Sequence, residues 1–207
     1  MANIQRDWKT RVVRAGFPDR GFDIEFWQLQ GDEAIFRAAW EMVVMVEEFK
    51  HSRQPRFERL LRAFNEKKAE YLIVGGYAVM KYTEPRFTKD LDVWIRNSPE
   101  NAAKVYEALA EFGAPLQKDA LLPEDFTGED MTYQMGVAPV RIDILTRISG
   151  IQFPKAWQNR VAGTFFGLPV YFISLSDLIT NKKAAGRSSD LEQLELFQNK
   201  LNKKSQN

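Results

Sequence analysis

A short apolar run ending in two glycines, Leu72-Ile73-Val74-Gly75-Gly76, constrains this chain more than any other stretch. Glycines at such a point let the backbone turn tightly out of a strand into a helix, and leave main-chain N–H groups open to an anion. After thirteen intervening residues Asp90-Leu91-Asp92 opens a second apolar run, Val93-Trp94-Ile95. A third acid, Asp143, stands inside Val140-Arg141-Ile142-Asp143-Ile144-Leu145. On a strand, residues two apart share a face. Asp90, Asp92 and Trp94 therefore point one way and Leu91, Val93 and Ile95 the other, while Asp143 projects opposite Ile142 and Ile144.

Two carboxylates side by side repel, and one takes up a proton unless a cation sits between them. Hard divalent ions prefer oxygen ligands, and Mg2+ typically takes one or two carboxylates plus phosphates and waters. The acids thus read either as a metal site or as polar decoration on the wet face of a half-exposed sheet. The glycine pair likewise reads either as a phosphate cradle or as a tight turn with no ligand. Two familiar phosphate loops do not fit. No lysine-serine or lysine-threonine follows the glycines, as a P-loop requires, and Gly-Gly-Tyr-Ala holds only a fragment of a dinucleotide-binding fingerprint.

With 207 residues, 44% of them hydrophobic, the chain suffices for one domain with an appendage. A net charge of +1 supplies no global field toward nucleic acid or membrane, yet leaves room for an enzyme that grips one end of an RNA. Without cysteine there are no disulfides and no thiolate metal sites. The single histidine, His51, lies in a charged stretch and reads as a solvated surface residue, since one imidazole does not build a histidine-based metal site. The first residues lack the apolar core of a secretory signal and no run approaches a membrane span, so a cytoplasmic location is expected.

Residues 1–30 are mixed, with a short strand or extended arm near 22–27. Asp32 is placed to cap a helix whose wide apolar face includes Ile35, Phe36, Trp40 and Val43. That face packs on the main domain or forms a homodimer contact. A second helix is expected over 55–68 through Phe57, Leu60, Leu61 and Phe64, followed by a strand at 71–74, a helix from the glycines stopped by Pro85, and a strand at 91–95. Ser98 should cap a helix with Pro99 in its first position and Gly113 at its close. Residues 115–130 read as a loop, 131–135 and 140–146 as a strand pair, and 170–173 as one more strand. Ser174 or Ser176 should cap a helix ended by Gly186, with a last helix from about 188. The expected architecture is α+β, a small mixed sheet flanked by helices over 56–207, with residues 1–55 as a helical extension.

The combination of apolar-Gly-Gly, a helix, Asp-x-Asp on the next strand and a later strand-borne Asp resembles the DNA polymerase β-type nucleotidyltransferase superfamily. The stretch Ser176-Asp177-Leu178 through Lys182, Ala185-Gly186-Arg187 and Asp190 is similar to the carboxy-terminal segment of minimal bacterial nucleotidyltransferases, including the AbiEii toxin-like group. The resemblance covers roughly residues 56–200. Many catalytic members carry Gly-Ser where this chain has Gly75-Gly76.

The resemblance implies transfer of a nucleoside monophosphate from a nucleoside triphosphate to a hydroxyl acceptor. That acceptor would be the 3′ end of a tRNA, a protein side chain or a small molecule, in a setting related to toxin–antitoxin pairs. Asp90 and Asp92 would bind two Mg2+, or Mn2+, and Asp143 would complete the site of the ion that activates the hydroxyl. Gly75 and Gly76 would hold the triphosphate, with Arg86 and Lys182 reaching its phosphates. Arg86 is open equally to a plain surface role, and Lys183 competes with Lys182. Arg141 is placed to screen the acids or the triphosphate; Arg187 and Asp190 are spaced to pair locally. Tyr77, Tyr82 and Trp94 are candidates to stack on a base, though each such residue is more often a packing residue. The alternative is a catalytically inactive nucleotide-binding or interaction protein of the same fold. A protein side chain lodged among the three aspartates would count against catalysis.

Overall fold

A computed structural model describes residues 10–13, 55–83, 88, 90–137 and 140–187, together with 190, 194 and 197. The expected helix around Trp40, His51, Arg86 and most of the last helix lie outside the described residues.

Among the described residues, seven strands form one mixed sheet. In chain order they are β1 (Thr10–Val13), β2 (Tyr71–Ile73), β3 (Asp90–Ile95), β4 (Thr132–Val137), β5 (Val140–Leu145), β6 (Val161–Phe165) and β7 (Leu168–Phe172), and their spatial order is β1-β4-β5-β3-β2-β7-β6. Parallel pairing joins β3 to β5 and β2 to β7, while the remaining neighbours are antiparallel. The helices are α1 (Pro55–Glu66), α2 (Gly75–Tyr82), α3 (Pro99–Phe112), α4 (Phe153–Gln158) and α5 (Leu175–Ala185). This is the α+β class expected from the sequence, with a larger sheet. No helix among the described residues is long and apolar enough to cross a membrane.

The core follows the apolar spacing. Phe57, Leu60, Leu61 and Phe64 of α1 are all buried, as are Leu91, Val93 and Ile95 of β3. Each such side chain contributes roughly 1.5–3 kcal/mol by leaving water. Ser98 caps α3 by accepting from Asn101 N–H, Pro99 sits in the first turn, and Gly113 closes the helix at φ 93°. Ser174 caps α5 through Asp177 N–H, and Gly186 ends it at φ 63°. Both helix boundaries agree with the caps in the sequence.

Four elements were not expected, among them β1, which pairs with β4 from within the stretch read as a helical extension. Strand β6 alternates half-buried Val161, Gly163 and Phe165 with exposed Ala162 and Thr164, and the glycine at an inward position hides its apolar alternation. Its turn to β7 uses Phe166 and Gly167, both at positive φ, where an Asn-Gly pair would have announced a hairpin. Helix α4 is only one and a half turns long, and a 3-10 turn at Pro123–Thr127 buries Phe126 within the expected loop.

On the aspartate-bearing face of β3 the polar surface is short. Trp94, on the same side as Asp90 and Asp92, is buried against Phe153 of α4, with ring centroids 5.0 Å apart, and donates its indole N–H to Thr146 O. The two aspartates therefore occupy the open end of a face that is otherwise closed.

Candidate active site

The turn from β2 into α2 is locked to β3 by a hydrogen bond from Val74 N–H to Asp92 O, 3.0 Å long. Gly75 adopts φ 62°, a left-handed conformation that a side chain disfavours. A Cβ placed there would also lie 1.9 Å from Asp92 Oδ2, so the carboxylate rests directly against the glycine backbone. A Cβ on Gly76 would meet Thr88 Oγ1 at 2.4 Å. The Thr88 hydroxyl thus fills the space that a serine at this position would claim. No side chain caps the start of α2, which leaves its first-turn N–H groups directed at the mouth of the turn.

Strand register gathers the acids. Asp90 lies opposite Arg141, and Asp92 opposite Asp143, on the parallel strands β3 and β5; Gln134 of β4 lies opposite Asp143 on its other side. Arg141 joins two of the three acids, donating from Nη2 to Asp90 Oδ2 and from Nε to Asp143 Oδ1, both at 2.9 Å. Gln134 donates its amide to both oxygens of the buried Asp143 at 3.2 Å. By contrast, no described residue hydrogen-bonds the Asp92 carboxylate. No group of three acidic side chains among the described residues is assembled as a ready metal cage. The Arg141 guanidinium holds Asp90 and Asp143, a protein side chain among the aspartates of the kind expected to count against catalysis.

Burial pushes the Asp92 carboxyl up to about 8, with Asp143 and then Asp90 adding to the rise, and with Lys182 and Arg141 opposing it. The ionised form of Asp92 is therefore disfavoured, first by burial and then by its acidic neighbours. Lys182 faces this cluster from α5, and its Nζ donates to Asp190 Oδ1 at 2.7 Å. Asp190 is buried and also accepts from Arg187 N–H. The expected local pairing of Arg187 with Asp190 is thus replaced by a lysine–aspartate pair, with Arg187 contributing its backbone. Lys183 is exposed, which leaves Lys182 as the lysine turned toward the acids.

The aromatic candidates pack. Tyr77 contacts Phe57 and Phe165, and burial first, then Asp90, pushes its phenol up to about 12. Tyr82 donates to Ile173 O. Gln134 beside Asp143, the contact of Thr88 with Gly76, and Asp190 as the partner of Lys182 were not expected from the sequence. Only Gln134 had a signal: it is a polar residue inside an apolar strand paired with the one bearing Asp143.

No curated protein matches the chain in sequence. Among solved structures it is similar to the lincosamide antibiotic adenylyltransferase LnuA with lincomycin bound, at 13% identity and a TM-score of 0.44, over 70% of this chain and 96% of that one. A likeness of that degree decides nothing about substrate. Residues 57–202 match the family described as nucleotidyltransferase of unknown function (DUF6036). The match takes in the glycine turn, all three aspartates and the Lys182–Asp190 pair, and the chain belongs to this family of nucleotidyltransferases.

Proposed function

We propose that this enzyme uses a divalent cation, Mg2+ with Mn2+ as a substitute, to transfer a nucleoside monophosphate from a nucleoside triphosphate to a hydroxyl acceptor. The observation that carries the reading is the pairing of Asp92 with Asp143 across β3 and β5, with Asp90 beside them, against the left-handed turn at Gly75. The donor set suits a hard cation: it is all oxygen, and a bound cation would favour the ionised form of Asp92 that burial and the neighbouring acids disfavour. Asp92 and Asp90 are the residues that would hold such an ion, with Asp143 alongside. When bound, the ion neutralises phosphate charge and assists the attacking oxygen.

The chain's own groups supply the rest. Backbone N–H groups at Gly75 and Gly76 and the first turn of α2 receive the triphosphate. Lys182 adds a positive charge from the opposite side, aimed by Asp190. The acceptor oxygen bonds to the α-phosphorus as the bond to the bridging oxygen breaks and pyrophosphate departs. Catalysis here is positioning and charge neutralisation more than covalent chemistry.

The test is transfer of label from α-labelled ATP, CTP, GTP and UTP, each with Mg2+, to the RNA, protein and small-molecule fractions of a cell extract. Label that appears in one fraction and is lost with Asp92→Ala supports the reading and identifies the acceptor class. The toxin-like side of the resemblance adds that expression should arrest growth, and Asp92→Ala should relieve it. The Arg141 bridge favours a second reading, a nucleotide-binding protein without turnover. Nucleotide binding with no transfer to any fraction would establish that reading instead.

A further inference from the structure

The geometry points to Arg141 as a built-in cation that takes the part of one divalent ion, so that the site binds a single ion at Asp92 and Asp90. This rests on the metal-dependent reading above and narrows it. A guanidinium keeps its charge at any working pH and bonds carboxylates as a rigid fork. Here the fork spans two strands, joining Asp90 of β3 to Asp143 of β5 with charge-assisted bonds of 2.9 Å. Its side chain is 18% exposed, and its place is set by strand register rather than by a loop. Across from it on β4 stands Gly136, which brings no side chain to compete for the space.

Asp143 is thereby largely consumed. A carboxylate offers about four lone-pair sites, and Asp143 accepts one hydrogen bond from Arg141 and one on each oxygen from Gln134. An ion seeking Asp143 must displace these donors and settle beside a fixed positive charge. Asp92 differs. No described residue hydrogen-bonds its carboxylate, and it sits against the glycine turn where phosphate is expected. Lys182 does not fill the gap, because Asp190 holds its Nζ. Asp92 is therefore the carboxylate left for a cation, and Asp143 offers a second one no place.

A purely structural role for Arg141 predicts the opposite response to its removal. If the fork only orders the acids, losing it loosens them and weakens ion binding. If it stands in for an ion, losing it opens a place for one. The experiment counts Mn2+ bound to the full chain without nucleotide, from the electron paramagnetic resonance signal of the free ion. Wild type should bind one Mn2+ per chain, lost with Asp92→Ala. Arg141→Gln should bind a second ion, or bind the first at least tenfold more tightly, while Arg141→Lys keeps the count at one. Asp143→Asn, which leaves Arg141 in place, should also keep the count at one, and serves as the decisive variant if Arg141→Gln does not fold. Two ions in wild type, an Arg141→Gln protein that binds equally or more weakly, or loss of the ion in Asp143→Asn each overturns the inference and leaves metal-dependent transfer standing. Absence of Mn2+ binding in every variant overturns both.

Discussion

Gly75 and Asp92 stand so close that a methyl group does not fit between them: a Cβ on Gly75 would lie 1.9 Å from Asp92 Oδ2 and 2.6 Å from Cγ. The backbone there is also left-handed, at φ 62°. Gly75→Ala therefore meets two penalties at once, a conformational cost of about 1–2 kcal/mol and displacement of the carboxylate. Gly113 is the control, since it too has a positive φ but open space around its missing Cβ. We expect Gly75→Ala to lose more stability in urea than Gly113→Ala and to lower transfer at least tenfold. Gly113→Ala should leave transfer unchanged. Equal losses from the two would mean that Asp92 yields easily to the added methyl.

The Gly76–Thr88 contact makes a coupled prediction. A Cβ on Gly76 would lie 2.4 Å from Thr88 Oγ1 and 3.0 Å from its Cβ. Gly76→Ser should raise the KM for nucleoside triphosphate, because the new side chain and the threonine compete for one space. Adding Thr88→Gly should recover part of the loss. In a double-mutant cycle the two positions should couple by about 1 kcal/mol or more, as contacting residues do. Additive effects would show that the hydroxyl of Thr88 does not hold this space.

Asp92 gives the pH dependence. Its carboxyl is raised from 3.8 to about 8, mainly by burial and then by Asp143 and Asp90. Between those values the folded chain holds a proton that the unfolded chain has lost, so this group's contribution to stability falls as pH rises from about 4 to about 8. Asp92→Asn removes the penalty. Its Tm should exceed that of wild type at pH 9 and approach it near pH 4, and Mn2+ should raise the wild-type Tm more at pH 9 than at pH 5. Thermal unfolding at these pH values, with and without Mn2+, checks both.

What the sequence disclosed about this site was periodic or local. Alternation put Asp90 and Asp92 on one face of β3 and turned Asp143 away from its apolar neighbours on β5, and Ser98, Gly113 and Gly186 marked helix ends that the structure keeps. What escaped was set by register between distant segments. Arg141 meets Asp90 only because β3 and β5 run in parallel with that offset, and Gln134 meets Asp143 only through the β4 pairing. Spacing within one segment carries no record of either. The β6–β7 hairpin escaped for a different reason, a turn that places Phe166 at positive φ where local propensity gives no sign of one.

The Lys182–Asp190 pair permits stability and function to be separated. Nζ and Oδ1 are 2.7 Å apart, with the side chains 12% and 2% exposed. Removing one partner of such a pair strands a buried charge, and typically costs about 3–5 kcal/mol. Replacing both with apolar groups is often neutral, because the desolvation of two charges disappears with them. We therefore expect Asp190→Ala to destabilise the chain strongly and to raise the KM for nucleoside triphosphate, since nothing then aims Lys182. Lys182→Met combined with Asp190→Leu should regain most of the stability in urea. It should not regain transfer, because the lysine charge that opposes the carboxylates and meets the phosphates is gone. If the double variant recovers both, Lys182 is a packing element, and the charge facing Asp92 comes from Arg141 alone.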